Sequence, residues 1–313
     1  MNRCAFVFPG QGAQYVGMAM DFVDTYPEYE NVLKRFHAKT GFDLMDIMKN
    51  GPEDKLKDTK FTQPAILFHS VVSMQSLKKK LDIKPAMVAG HSLGEFSALV
   101  ANGSLDFDDA LYLVHKRGEF MIKANEDTPF AMAAIIGLES SLVDSICKQA
   151  SQSGIVVAAN FNTPEQTVIS GCKDGVEHAN LLAEEAGAKR IIPLTVGGPF
   201  HSPLIRRAGD WLAEEMEEIR FNTPEVPVIC NVSAKAETDP DMIKQNLIKQ
   251  ITSSVRWVES VQHMLNEGID TFFEFGPKKV IAGMIKKIDR KATILNVDKV
   301  DDIEKVIEKV RDV

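Results

Sequence analysis

An apolar run, a Gly-X-Ser-X-Gly turn and a helical run follow one another without a break in residues 86–101, Ala-Met-Val-Ala-Gly-His-Ser-Leu-Gly-Glu-Phe-Ser-Ala-Leu-Val-Ala. That order dictates a strand reversing sharply into a helix, because Gly90 and Gly94 let the two elements approach closely around a strained turn. Phe96, Leu99 and Val100 recur at helical spacing, so the helix has a face to bury. Such a turn exposes the Ser92 hydroxyl and aims the Leu93 backbone N–H at an incoming carbonyl oxygen. Ser92 is therefore a candidate nucleophile, set against the plainer reading of a turn serine.

The rest of the chain supplies the context this elbow needs. Residues 3–8 read as a first apolar strand ending at Pro9-Gly10-Gln11-Gly12, followed by helix-competent sequence. Thr62 reads as the N-cap of a helix over about 64–80, with Pro64 in its first turn. Strand-like and helical runs alternate, which favours a parallel sheet covered by helices on both faces. Between about 129 and 196 the rhythm changes: strand 130–137, helix 140–150, strands 155–161 and 165–170, helix 174–187, strand 189–196. That β-α-β-β-α-β order predicts an inserted ferredoxin-like unit at 128–197, within a discontinuous main domain of 1–127 and 198–313. Beyond it come a strand at 226–231, helices at 240–251 and 256–267, strand 271–275, helix 278–288, strand 292–297 and a charged terminal helix from about 301.

Composition narrows the class. With 313 residues, 44% apolar and 26% charged, the chain can bury a sizeable core as a soluble protein. A net charge of −8 speaks against non-specific nucleic-acid binding. No stretch approaches the ~20 apolar residues of a membrane span, and Met-Asn-Arg-Cys runs straight into a strand, so a cytoplasmic enzyme is expected. Cys4, Cys147, Cys172 and Cys230 have no metal-site spacing and read as buried reduced thiols.

A serine nucleophile needs a base, and His201 stands out among seven histidines. It lies in Gly197-Gly198-Pro199-Phe200-His201-Ser202-Pro203, an irregular loop where the chain returns from the insertion, whereas His37, His115 and His178 read as solvated helix positions. Arg117 is the most unusual charge. Asp106 caps a helix over 107–122, and Arg117 falls inside its apolar arc with Leu113, Val114, Phe120 and Met121 as helical neighbours. A buried guanidinium without a partner costs several kcal/mol, so a distant acid or a ligand carboxylate must answer it.

Taken together, Phe8-Pro9-Gly10-Gln11-Gly12, Gly90-His91-Ser92-Leu93-Gly94-Glu95, Arg117-Gly118, Pro164 to Gly171, Phe200-His201-Ser202 and Glu274-Phe275-Gly276-Pro277 resemble the malonyl-CoA:acyl-carrier-protein transacylase family over essentially the whole chain. The resemblance implies an α/β fold: an α/β-hydrolase-like core with a mostly parallel sheet and an inserted ferredoxin-like α+β subdomain. It implies Ser92 as nucleophile, His201 as base, and the backbone N–H groups of Gln11 and Leu93 as oxyanion hole. Arg117 would clamp the malonyl carboxylate, Phe200 and Met121 would border the acyl group, and the main-chain carbonyl of Gln250 would orient His201. The implied reaction is ping-pong transfer from malonyl-CoA to the phosphopantetheine thiol of acyl carrier protein, for fatty-acid or polyketide synthesis. It needs no metal or redox cofactor, and the implied protein is a cytoplasmic monomer.

Ile122 stands where relatives commonly carry Gln, and Ser253-Ser254 where they often carry Asn-Pro, which affects the loop near Gln250. His91 and Gln63 are further candidates for the pocket wall or its surroundings. A serine hydrolase would share the elbow but leave Arg117 unexplained, and a non-catalytic scaffold would have no use for Ser92, His201 and Arg117 together. Lys189-Arg190, Arg206-Arg207 and Lys278-Lys279 are candidate contacts for an acidic carrier, or simply solvated pairs.

Overall fold

The computed structural model describes residues 3–125 and 128–311. Its strands are β1 (Arg3–Phe8), β2 (Met87–Gly90), β3 (Phe130–Ile136), β4 (Val156–Thr163), β5 (Gln166–Cys172), β6 (Arg190–Pro193), β7 (Val228–Ile229), β8 (Ala236–Glu237), β9 (Ile269–Phe275) and β10 (Thr293–Val297). The main sheet runs β10-β9-β1-β2-β7-β8, parallel throughout except for the short antiparallel β7–β8 edge. Phe6 and Phe8 of β1 enter one core layer while Ala5 and Val7 enter the layer on the opposite face. Burial on both faces is why this strand reads as an uninterrupted apolar run.

The second sheet runs β4-β5-β3-β6 with every pairing antiparallel, the ferredoxin-like order. Ala133, Ile135 and Ile169 pack under the helices Ser140–Ala150 and Lys173–Glu185. Period-two alternation turns Met132, Ala134 and Val168 the other way, into the main core. Asn160 bridges to Val255, and the backbone bonds Phe161 N–H to Val255 O (2.9 Å) and Val255 N–H to Ala159 O (2.8 Å) stitch the sheet to the main body. Residue 127, where the expected boundary falls, and the terminal residues 1, 2, 312 and 313 lie outside the described residues. Among the described residues, no helix is long and apolar enough to cross a membrane.

Several expectations need correction. The helix expected from Thr62 begins earlier and spans Thr59–Lys78; Asp58 is its cap, accepting from Lys60 N–H, and Pro64 lies inside it. A proline cannot serve the carbonyl four residues back, and that of Lys60 lies 3.3 Å from His115 Nδ1 instead. His115 is therefore buried, wedged edge-on against Phe36 and Phe42, rather than solvated. The strand expected at 226–231 shrinks to Val228–Ile229, because Cys230 and Asn231 turn inward toward the elbow. Cys172 is only half-buried, unlike the other three cysteines.

Candidate active site

The elbow forms as its glycines require. A Cβ on Gly90 would lie 1.9 Å from the Gly94 backbone, and one on Gly94 would lie 2.4 Å from Phe8 O, so neither position admits a side chain. Ser92 sits between them at φ 52°, a left-handed conformation that a serine adopts only when its surroundings enforce it. Asn231 enforces it from outside the turn: its Oδ1 accepts from Ser92 N–H (2.7 Å) and its Nδ2 donates to Gly90 O (2.7 Å).

His201 reaches the serine from the loop after the second sheet, itself at φ 58°. Its Nε2 lies 2.8 Å from Ser92 Oγ, and its Nδ1 faces the main-chain carbonyls of Gln250 (2.9 Å) and Ser253 (3.1 Å). Carbonyls only accept, so Nδ1 carries the hydrogen and Nε2 is left to take a proton from the hydroxyl. Burial, and after it the nearby Arg117 charge, push the imidazole down to about 3, so the resting base is neutral.

Arg117 is 1% exposed, on the helix Phe107–Lys123 that Asp106 caps as expected. Gly118 beside it lets this helix close on Thr59–Lys78, since a Cβ there would lie 2.8 Å from Lys60 Cα. The guanidinium donates to Gln63 Oε1 (2.8 Å), Gln250 Oε1 (2.9 Å) and Ser92 Oγ (3.0 Å), all neutral acceptors. Its Nε is buried without a hydrogen-bond partner among the described residues, and its guanidinium carbon lies 5.8 Å from the centre of the Phe96 ring. Burial lowers it to about 10, which leaves it charged at neutral pH.

These groups open on a cavity of about 250 Å³ between the two sheets. Gly10, Gln11, His91, Ser92, Leu93, Arg117 and His201 line it from the main body, with Met121 and Phe200 alongside; Met132, Ala134, Asn160, Asn162, Gln166 and Val168 close it from the second sheet. The arrangement holds a nucleophile with its base beside a buried cation whose hydrogen-bond partners are all neutral, which suits acyl transfer from a substrate carrying an acid.

An acyl transferase domain profile matches residues 5–305. Malonyl CoA-acyl carrier protein transacylase of Escherichia coli K12 is 44% identical over 288 residues, covering 92% of this chain and 93% of the relative. The chain belongs to the malonyl CoA-acyl carrier protein transacylase family. The Bacillus subtilis transacylase is 41% identical over 313 residues, 100% of this chain and 98% of that protein. The solved transacylase from Coxiella burnetii superposes with a TM-score of 0.94 at 39% identity, covering 98% of this chain and 97% of its own. A malonyl-transacylase solved in complex with a type II PKS acyl-carrier protein gives 0.93 at 38% identity, covering 98% and 99%.

The geometry brings Gln11, Ser92, Leu93, Arg117, Met121, Phe200, His201 and Gln250 together, and adds others. Gln250 was expected to act through its carbonyl alone, yet its fully buried side chain bonds Arg117, Ser92 O (3.1 Å) and Glu95 (2.8 Å). Gln63 is the acceptor that turns Arg117 toward the serine, and His91 Nε2 ties the elbow to Asn162 Oδ1 (2.8 Å). Asn231 had no sequence signal at all, being a lone polar residue after a two-residue strand. Of the basic pairs, Lys189 is already bonded to Glu165 (3.0 Å), while Lys278-Lys279 lead directly into Val280 and Ile281 of the cavity wall.

Proposed function

We propose that this enzyme moves the malonyl group of malonyl-CoA onto the phosphopantetheine thiol of acyl carrier protein through an ester on Ser92. One observation carries the reading: Ser92 Oγ lies at once 2.8 Å from a neutral His201 Nε2 and 3.0 Å from a buried guanidinium whose bonded partners are all uncharged. His201 takes the hydroxyl proton as Oγ attacks the thioester carbonyl. The oxyanion is met by the backbone N–H groups of Gln11 and Leu93, both on the cavity wall. Collapse breaks the C–S bond, and the coenzyme A thiolate takes the proton from His201.

The second half runs in reverse with the carrier thiol as nucleophile, His201 accepting its proton and Ser92 regaining it. Arg117 pairs with the free malonyl carboxylate; an acetyl group would leave that cation unanswered. Phe200 and Met121 border the acyl chain, and segment 128–197 acts as an inserted unit that roofs the site. The steps use only side chains and backbone of one chain, consistent with a monomer that needs no resident cofactor. Free thiols, those of Cys4, Cys147 and Cys230 buried, suit a reducing cytoplasm.

Intact-protein mass after mixing with malonyl-CoA tests the reading. Wild type should gain one malonyl unit and Ser92→Ala none, and a carrier thiol should remove it. Release of free malonate as fast as coenzyme A would instead mark a hydrolase.

A further inference from the structure

Among the described residues, two buried acids, Glu95 and Glu274, are unused in the chemistry above; Glu274 caps the backbone of Ile281 and Ala282, and Glu95 bonds to residues of the site. Glu95, in the first turn of the helix Gly94–Ala101, is 1% exposed. Its Oε2 accepts from Asn231 N–H (3.0 Å) and Gln250 Nε2 (2.8 Å), while Oε1 is buried without a nitrogen or oxygen donor among the described residues, and the Cys230 thiol faces the carboxyl. An amide has one donor end and one acceptor end. With the Gln250 NH₂ drawn to Glu95 and to Ser92 O, its Oε1 must face Arg117, where it accepts from Nη2. Glu95 thus sets the polarity of a relay that ends on the substrate-binding cation.

We propose that Glu95 is the counter-charge and positioning residue for Arg117, and that loading a carboxylated acyl group onto Ser92 is coupled to uptake of one proton by Glu95. The inference rests on the malonyl-serine reading given above. In the resting enzyme Arg117 answers one buried anion, at second hand through Gln250. A malonyl carboxylate brings a second anion into the same low-dielectric pocket, and one cation cannot offset both. The substrate acid touches the guanidinium directly, so Glu95 is the one that takes the proton.

The groups facing Glu95 are Arg117 from the helix Phe107–Lys123 and the Cys230 thiol after β7. Burial holds that thiol well above its ordinary range, so it stays neutral. Burial raises Glu95 to about 7, while Asn231, Gln250 and Arg117 pull the other way. Neutralising Arg117 removes part of that pull and raises the acid further. The proton taken up comes from solvent and is additional to the one that Ser92 passes through His201 to coenzyme A.

The loading equilibrium between malonyl-CoA and malonyl-enzyme, read by intact mass from about pH 6 to about pH 8, below the ordinary thiol pKa of ~8.5, tests the coupling. Wild type should load less as pH rises, by up to about tenfold per pH unit where Glu95 titrates. Acetyl loading should be level, as should malonyl loading of Glu95→Gln, which keeps an acceptor oxygen but no charge. A level wild-type malonyl profile, or the same slope in Glu95→Gln, overturns the inference. Should Glu95→Gln fail to fold, carboxyl ¹³C spectra of wild type decide: a neutral buried carboxyl signal must grow on malonyl loading and not on acetyl loading, and its absence overturns the coupling. No malonyl mass on wild type at any pH would overturn this inference and the acyl-transfer reading together.

Discussion

Replacing Arg117 by alanine separates the specificity of the site from its chemistry. The guanidinium is buried, and in the resting enzyme its acceptors are Gln63, Gln250 and Ser92, none of them charged. A malonyl carboxylate entering that cavity forms a desolvated, charge-assisted pair, and truncating one partner of such a pair costs about 2–5 kcal/mol. At about 1.4 kcal/mol per tenfold, kcat/KM for malonyl loading should fall roughly 30- to 4,000-fold. Acetyl-CoA has no carboxylate to lose, and its loading breaks the Arg117–Ser92 bond without any ionic compensation, so Arg117→Ala should leave acetyl loading level or improve it. The two unsatisfied amide oxygens cost about 1–3 kcal/mol each in stability, and Glu95 loses the cation that faces it. Quench-flow with intact-mass detection gives both loading rates on one preparation, and thermal melting checks the fold. Equal losses for malonyl and acetyl would refute the carboxylate clamp and leave Arg117 as scaffolding.

Three further outcomes are expected. Nitrogen-15 spectra should find His201 as the neutral Nδ1–H form down to about pH 5, because burial and Arg117 hold it near 3; a midpoint close to the ordinary 6.5 would contradict the geometry. The sign for stability follows: the folded ring refuses a proton that the unfolded one accepts, so its contribution is full above about 6.5 and is lost as pH falls toward 3. Gly90→Ala should yield no cooperative melt, since its Cβ would overlap the Gly94 backbone; a melt within a few degrees of wild type would mean the elbow can relax. Charge reversal at Lys278 and Lys279 should raise KM for the carrier several-fold, more at low salt, and leave malonyl-CoA loading alone; equal effects on both half-reactions would exclude a docking role.

Much of the fold was legible because its signals are local. The double-sided burial of β1, the Gly-X-Ser-X-Gly elbow, the Asp106 cap and the β-α-β-β-α-β order each express a short-range rule of sterics or periodicity. The misreadings come from tertiary contacts overriding those rules. Pro64 looks like a helix opener, yet Asp58 caps earlier and His115 lies beside the carbonyl the proline cannot serve. His115 looks solvated because Lys116 and Glu119 stand beside it in the sequence of its helix, while the rings that bury it, Phe36 and Phe42, come from elsewhere in the chain.

The site divides along the same line. Ser92, His201 and Arg117 each break a local expectation: a strained serine, a histidine in a Gly/Pro loop, a cation in an apolar arc. Such conflicts are visible in one dimension, and they mark groups whose cost is met by function. Glu95, Gln250 and Asn231 break no local rule, since each sits where an ordinary polar residue would. Their meaning lies in pairings across 136, 155 and 19 positions of chain, Glu95 to Asn231, Glu95 to Gln250 and Asn231 to Gln250. The reacting groups can therefore be read from sequence, and the resemblance names Gln250 for its carbonyl, but the side-chain bonds by which Asn231 holds Ser92 at left-handed φ and Glu95 and Gln250 aim the guanidinium become visible only once the chain is folded. If that division is physical, conservative replacement at Asn231 or Gln250 should alter rate and selectivity while melting stays within a few degrees, because these residues orient charge more than they bury apolar surface.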